Sequence, residues 1–130
     1  MPLPISGAGF QVGDGNEAQM NFFTQSAPVV ATTAITATAA QLAVGLFVGT
    51  PTAGVALTLP TVAALETAYQ SLGEKINVAF VFTVISLAAQ AITVTTNTGW
   101  TLVGGMGVNN TSGRFLARKT GVGAWTLYRS

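Results

Sequence analysis

The side chains in this chain that could move a proton or bind a metal are few: Asp14, Glu17, Glu66 and Glu74, with no histidine and no cysteine. A carboxylate pair hydrolyses sugars only when both members converge across a cleft. Asp14 and Glu17 fall in a glycine-rich N-terminal stretch, Glu66 within a short predicted helix and Glu74 just past its end, so their spacing implies no convergence. Asp14-Gly15-Asn16-Glu17 alternates oxygen ligands once, as a calcium loop begins, but lacks the further ligands and the closing bidentate glutamate. It reads as a turn. Lys75 and Lys119 are candidate bases for a serine or threonine nucleophile, and neither stands in a Ser-x-x-Lys arrangement. Gly99, Gly104, Gly105, Gly107 and Gly113 are followed by no predicted helix, so they form turns rather than a phosphate cradle. Asn109-Asn110-Thr111-Ser112 holds two overlapping glycosylation sequons, which without a secretion signal mark an exposed polar loop. The expectation is a protein with no catalytic residue, no metal and no cofactor.

The basic side chains are more concentrated. Arg114, Arg118, Lys119 and Arg129 put four of the five positive charges in the last seventeen residues. On a strand over 113–119, Arg114 and Arg118 share a face with Leu116 between them; on a strand over 124–129, Trp125, Leu127 and Arg129 share a face. A nucleic-acid surface would set aromatic platforms beside such arginines. Trp125 and Tyr128 are available, but alternation more simply makes Trp125 and Leu127 core residues. A net charge of +1 gives little field to attract nucleic acid or anionic lipid. The arginines are therefore expected to pair with carboxylates or carbonyls of an adjacent subunit.

Charge is absent altogether between Glu17 and Glu66 and again between Lys75 and Arg114. Charged residues make up 7% of the chain, against about 25% in an ordinary soluble domain. With 49% hydrophobic residues, such a surface is expected to be covered by partners. Lack of cysteine excludes disulfides and thiolate sites and fits a reducing compartment. The uncharged run 76–94 is nearly long enough to span a bilayer. Yet it is rich in β-branched and aromatic residues, is interrupted at Ser86 and Ala88-Ala89-Gln90, and alternates in bulk with Val78, Phe80, Phe82 and Val84 as the heavier set. That period belongs to a strand. Residues 27–48 fail as a span similarly, with four threonines and Gln41, and no basic segment opens a signal peptide.

The organisation that follows is an extended N-terminal arm over residues 1–26 and a single β-rich domain over 27–130. The arm carries Pro2, Pro4, Gly7, Gly9, Gly13 and Gly15, but also Ile5, Phe10, Met20, Phe22 and Phe23, which are costly to leave in water. A loosely tethered terminus and an arm docking on a neighbouring subunit are both open. Strand structure is expected around 28–36, a short helix over 37–44 ended by Gly45, brief strands at 46–48 and 54–59, and a turn at Gly49-Thr50-Pro51. The clearest helix has Thr61 as N-cap, a face of Val62, Leu65, Tyr69 and Leu72, and Gly73 at its end, with Glu66 expected in solvent. Strands are read beyond it at 75–86, 91–96, 101–103, 113–119 and 124–129. The fold class is all-β: a β-sandwich or jelly-roll-like domain with one short α-helix and the extended N-terminal arm.

Several segments together carry a family likeness: Leu57-Thr58-Leu59-Pro60-Thr61 and the helix after it, the apolar strand from Val78 to Ile85, Ile92-Thr93-Val94-Thr95, Gly99-Trp100-Thr101-Leu102-Val103-Gly104, and the ending from Ser112 to Gly121 closed by Trp125-Thr126-Leu127-Tyr128-Arg129. Gly13-Asp14-Gly15-Asn16-Glu17 fits the opening of such chains. With these segments the chain resembles head decoration, or capsid cement, proteins of tailed bacteriophages. The resemblance implies an all-β homo-oligomer, a trimer by preference and otherwise a dimer, made in the host cytoplasm and seated on the capsid exterior. Its partner would be the major capsid protein, with neither nucleic acid nor membrane, and it would reinforce the shell against internal DNA pressure. No enzymatic residue is carried over. Partner binding is expected at Phe10, Met20, Phe22, Phe23, Arg114 and Arg118. Thr/Val/Gly-rich strands recur in tail-fibre and baseplate modules too, where an exposed aromatic such as Trp100 would bind host carbohydrate.

Overall fold

Two threonines start the two helices. Thr38 Oγ1 accepts from the Gln41 amide at 3.1 Å while Gln41 Oε1 accepts from the Thr38 amide at 3.0 Å, a reciprocal box that satisfies two otherwise orphaned donors. It opens α1 (Ala39–Val44), which Gly45 closes in the left-handed region at φ 81°. Thr61 Oγ1 accepts from the Ala64 amide at 3.1 Å and opens α2 (Val62–Ala68). The computed structural model describes residues 22–70 and 74–130. Sequence patterning carries α2 on to Leu72 and Gly73, which lie outside them; the helix ends earlier, where Tyr69 leaves helical geometry at φ −130°, ψ 84°. There are thus two short helices where one was expected in the fold class.

The strands are β1 (Val29–Val30), β2 (Ile35–Thr36), β3 (Leu46–Gly49), β4 (Val55–Thr58), β5 (Ala79–Ser86), β6 (Ile92–Thr95), β7 (Trp100–Val103), β8 (Gly107–Val108), β9 (Ser112–Gly121) and β10 (Ala124–Arg129). They form two mixed sheets, one ordered β1-β3-β5-β9-β10-β7 and the other β2-β4-β6-β8. The fold is mainly β, as composition and alternation imply. The single strand expected around 28–36 is two strands in different sheets, and β8 falls in a stretch read as a glycine turn.

From β1 to β9 the chain alternates between the sheets. β1, β3 and β5 stack in parallel with Val30, Val48 and Ile85 in one column; β2, β4 and β6 stack in parallel with Thr36, Thr58 and Thr95 in another. The chain therefore winds through three coils, and α1 and α2 lie on the returns from β2 to β3 and from β4 to β5. The coil series is closed by the antiparallel strands β9, on β5, and β8, on β6. A jelly roll is antiparallel throughout; five of the eight pairings here are parallel. Long crossovers are the reason, since a parallel pair needs one where an antiparallel pair needs only a hairpin. The crossover is a helix and a strand of the other sheet in the four pairs among β1–β6, and β8 with β9 between β7 and β10.

The buried faces of both sheets meet in one core, with Phe47, Phe82, Phe115, Trp125 and Leu127 from the first and Leu57, Ile92 and Val94 from the second. Leu42, Val62 and Leu65 close it from the helices. On β5 the side chains alternate as patterning requires: Phe82 and Val84 are buried while Val81 is exposed. No helix among the described residues is long and apolar enough to cross a membrane. Trp100, considered as an exposed carbohydrate platform, is buried and donates from Nε1 to the Pro60 carbonyl at 2.7 Å.

Successive coils approach closely at Gly49, where a Cβ would lie 2.5 Å from the Ala31 carbonyl oxygen. The obstructing atoms are backbone and cannot rotate away. Gly49→Ala is therefore expected to cost about 1–3 kcal/mol, the range of overpacked sites, read as a lowered denaturant midpoint. An unchanged midpoint would contradict this stacking.

Candidate partner-binding surface

The outward sides of the two sheets differ in chemistry. On the second sheet the outward columns are Thr36–Thr58–Thr95 and Ala56–Thr93–Gly107, small, uncharged and mostly polar. On the first, one column is Val30–Val48–Ile85 and another is Val81–Leu116–Tyr128–Val103. Val30, Val81 and Val103 are 70%, 43% and 46% exposed, and Val48, Ile85, Leu116 and Tyr128 are half-buried. The sheet exposes β-branched and aromatic surface across six strands with no covering layer among the described residues. An uncovered sheet face carrying exposed apolar columns of this kind is a candidate interaction surface.

Arginines bracket the second apolar column. Arg114 lies in the neighbouring column with Leu46 and Thr83, and Arg118 lies on the other side with Ala79, Thr126 and Thr101. As the alternation requires, both share the face of Leu116. Arg118 is held in place: Nη1 donates to Asn77 Oδ1 at 2.7 Å, Nη2 donates to Tyr128 Oη at 2.8 Å, and the guanidinium carbon lies 5.7 Å from the Tyr128 ring centre. Arg114 is exposed, and among the described residues its side chain makes no hydrogen bond or ion pair.

The other two C-terminal cations turn inward. Arg129 Nη1 donates to the carbonyls of Gly105 and Gly107, both at 3.0 Å, and its guanidinium lies 5.4 Å from the Phe115 ring centre. Its partners are therefore within its own chain rather than on a neighbour. Lys119 is 2% exposed and donates to Glu66 Oε2 at 2.5 Å; Trp125 Nε1 donates to the same oxygen at 2.9 Å. Glu66, expected in solvent, is instead the counter-ion of a buried lysine. Strand phase explains this: Lys119 follows Gly113, Phe115 and Ala117 on the core side of β9, where an unpaired ammonium is not tolerated. The pair ties the core side of β9 to α2, with the lysine buried and the glutamate partly exposed.

The Lys119 hydrogen bond, then that from Trp125, holds the Glu66 carboxyl below its ordinary value of 4.5, against an opposing push from burial. Because the folded-state value is the depressed one, this stabilisation is fully present above the ordinary value and is lost as pH falls through the folded one. The melting temperature is expected to drop on acidification below about 4.5, and Glu66→Gln should flatten that limb. An equally steep acid limb in the variant would assign the loss to other groups.

Phe10 and Met20 lie outside the described residues. Phe22 and Phe23 are 76% and 81% exposed, and Gln25 Nε2 donates to the Val44 carbonyl at 2.7 Å, tying the segment to the end of α1. An apolar cleft of about 250 Å3 opens between α1, α2 and β5, lined by Leu42, Leu65, Tyr69, Phe80 and Val81 among others, without convergent polar groups. The described residues hold no group of three potential metal ligands. Reasoning from sequence found the two outward arginines but not the valine columns beside them, whose signal was the alternation of Val81, Thr83 and Ile85 against the heavier phenylalanine set. Comparison of the chain with protein-family models, curated proteins and solved structures finds no match.

Proposed function

We propose that the chain is a non-enzymatic structural protein of a phage virion, which decorates and stabilises the capsid as a homo-oligomer bound across capsomer junctions. The observation that carries this reading is the two-sided character of the fold: one sheet shows threonine, alanine and glycine outward, the other an apolar, arginine-bracketed surface suited to being covered by protein. In finer terms, the two sheets act as a sandwich, one wall toward the particle and neighbouring copies and one toward solvent. Stabilisation would follow mass action, since a ligand that binds only the assembled shell shifts the equilibrium toward it. The N-terminal arm extends the contact, with Phe10, Phe22 and Phe23 as apolar anchors that order on binding. Among the described residues, the Lys119–Glu66 pair is engaged in holding α2 to β9, which supports a binding rather than a catalytic role.

The test is copy number and occupancy. Quantitative mass spectrometry of purified particles should find the chain in many copies, in fixed ratio to the major capsid protein; a few copies per particle would point to a fibre or baseplate and overturn the reading. Removing residues 1–25 should leave the β-domain folded while reducing occupancy of undecorated shells. Undiminished occupancy would remove the arm from the mechanism.

A further inference from the structure

We infer that the outer face of the first sheet receives residues 10–23 of a second copy of this chain, with Asp14 and Glu17 set against Arg114 and Arg118 and the flanking aromatic side chains over exposed apolar residues of the same face. This rests on the homo-oligomer reading above and names the partner of that surface.

Charge points to this occupant. The face carries two arginines and no acid. Placed against the same face of another copy, it would bring four guanidinium groups together, which disfavours simple face-to-face pairing. Of the four acids in the chain, Glu66 is committed to Lys119, and Glu74 is exposed on its own domain. Asp14 and Glu17 alone stand close together, flanked by Phe10 on one side and Met20, Phe22 and Phe23 on the other. The segment has the opposite charge to the face and the apolar groups to cover the valines.

The path of the chain points to a second copy. Residues 22–28 are exposed, Phe22 and Phe23 strongly so, with Gln25 pinned at the end of α1. Residues 22–28 are therefore no part of the chain's own core. Eleven residue steps separate the pinned Gln25 from Asp14 and reach up to about 40 Å if extended, whereas six strands span about 25 Å. Length is ample to reach and cross a neighbouring sheet. Arg114 and Arg118 are separated by about 13 Å along β9 and Asp14 and Glu17 by up to about 10 Å, a difference that arginine stems close.

The chain has no cysteine, so single cysteines report the contact cleanly. Asp14→Cys protein mixed with Arg114→Cys protein and mildly oxidised should form the mixed disulfide about tenfold or more faster than Asp14→Cys mixed with Thr93→Cys, a control on the outward side of the second sheet. Equal rates would overturn the inference. So would a protein carrying both Asp14→Cys and Arg114→Cys that closes only within one chain, because the segment would then cover its own sheet. Independently, Arg114→Glu with Arg118→Glu should lower the oligomer mass at moderate salt, and adding Asp14→Lys and Glu17→Lys should restore it; an unaltered mass in the first variant counts against the contact. These measurements use no capsid. Cross-linking by a protein absent from particles would sink the decoration reading alone, and particle binding without cross-linking would sink this inference alone.

Discussion

Glu66→Ala is expected to destabilise the fold by about 3 kcal/mol, because it strands the Lys119 ammonium in the core. Lys119 is 2% exposed, and its carboxylate partner reaches it from α2, 53 residues away in sequence. The loss has two parts. The larger is the uncompensated charge; the smaller, about 1 kcal/mol, is the acceptor taken from Trp125 Nε1. Glu66→Gln keeps an acceptor for the indole but not the ion pair, so it should fall between wild type and alanine. Replacing both partners, Glu66→Met with Lys119→Met, removes the buried charges together and should recover most of the loss, as matched apolar replacements of buried pairs do. Urea denaturation of the four proteins checks this order. If Glu66→Ala stays within about 0.5 kcal/mol of wild type, as an ordinary surface substitution would, the lysine is not buried as described.

Phe82→Ala should cost about 3–5 kcal/mol, the usual range for a buried aromatic truncated to alanine. Phe82 is the middle member of an aromatic chain crossing three strands: its ring meets Phe47 edge-on at 5.8 Å and stacks on Phe115 at 5.3 Å. Truncation leaves both neighbours without their aromatic partner and opens a void where β3, β5 and β9 are adjacent. Phe82→Leu refills most of that volume and should cost much less, separating cavity from ring-specific loss. Against a total stability of about 5–15 kcal/mol, the alanine variant leaves little margin. A shift in melting temperature no larger than that of Phe82→Leu would show that the site collapses around the void.

Local signals were legible and non-local ones were not. Gly45 and Thr61 act within a few residues, so the end of α1 and the start of α2 were legible in the sequence, whereas Thr38, expected inside a helix over 37–44, is the N-cap of α1. Alternation in Val78–Phe80–Phe82–Val84 and in Arg114–Leu116–Arg118 assigned faces on β5 and β9 correctly, because strand phase depends on neighbours two apart. Parallel pairing is different. Nothing local distinguishes β3 beside β5 from a hairpin, and the periodic turns suggested antiparallel connections. A repeat signal was nevertheless present: Thr38 and Leu42 stand four apart in one return, Thr61 and Leu65 four apart in the next. The misplacement of Glu66 has a similar cause. Once Arg114 and Arg118 face outward, Lys119 must face the core and needs a carboxylate, but which acid answers is decided by the fold. Trp100 looked like a free aromatic because its acceptor, the Pro60 carbonyl, is 40 residues distant.

Among the described residues, the wound part of the molecule is closed at one end only. β8 and β9 cap it by running against the coils, while β1 and β2 are the terminal strands of their sheets. An added strand–turn–strand–helix unit ahead of Val29 would therefore continue both walls without disturbing the C-terminal region that holds the arginines. The architecture acts as an adjustable spacer: the chain can gain height by whole coils, extending the valine and threonine ladders in step, while its charged end stays as it is.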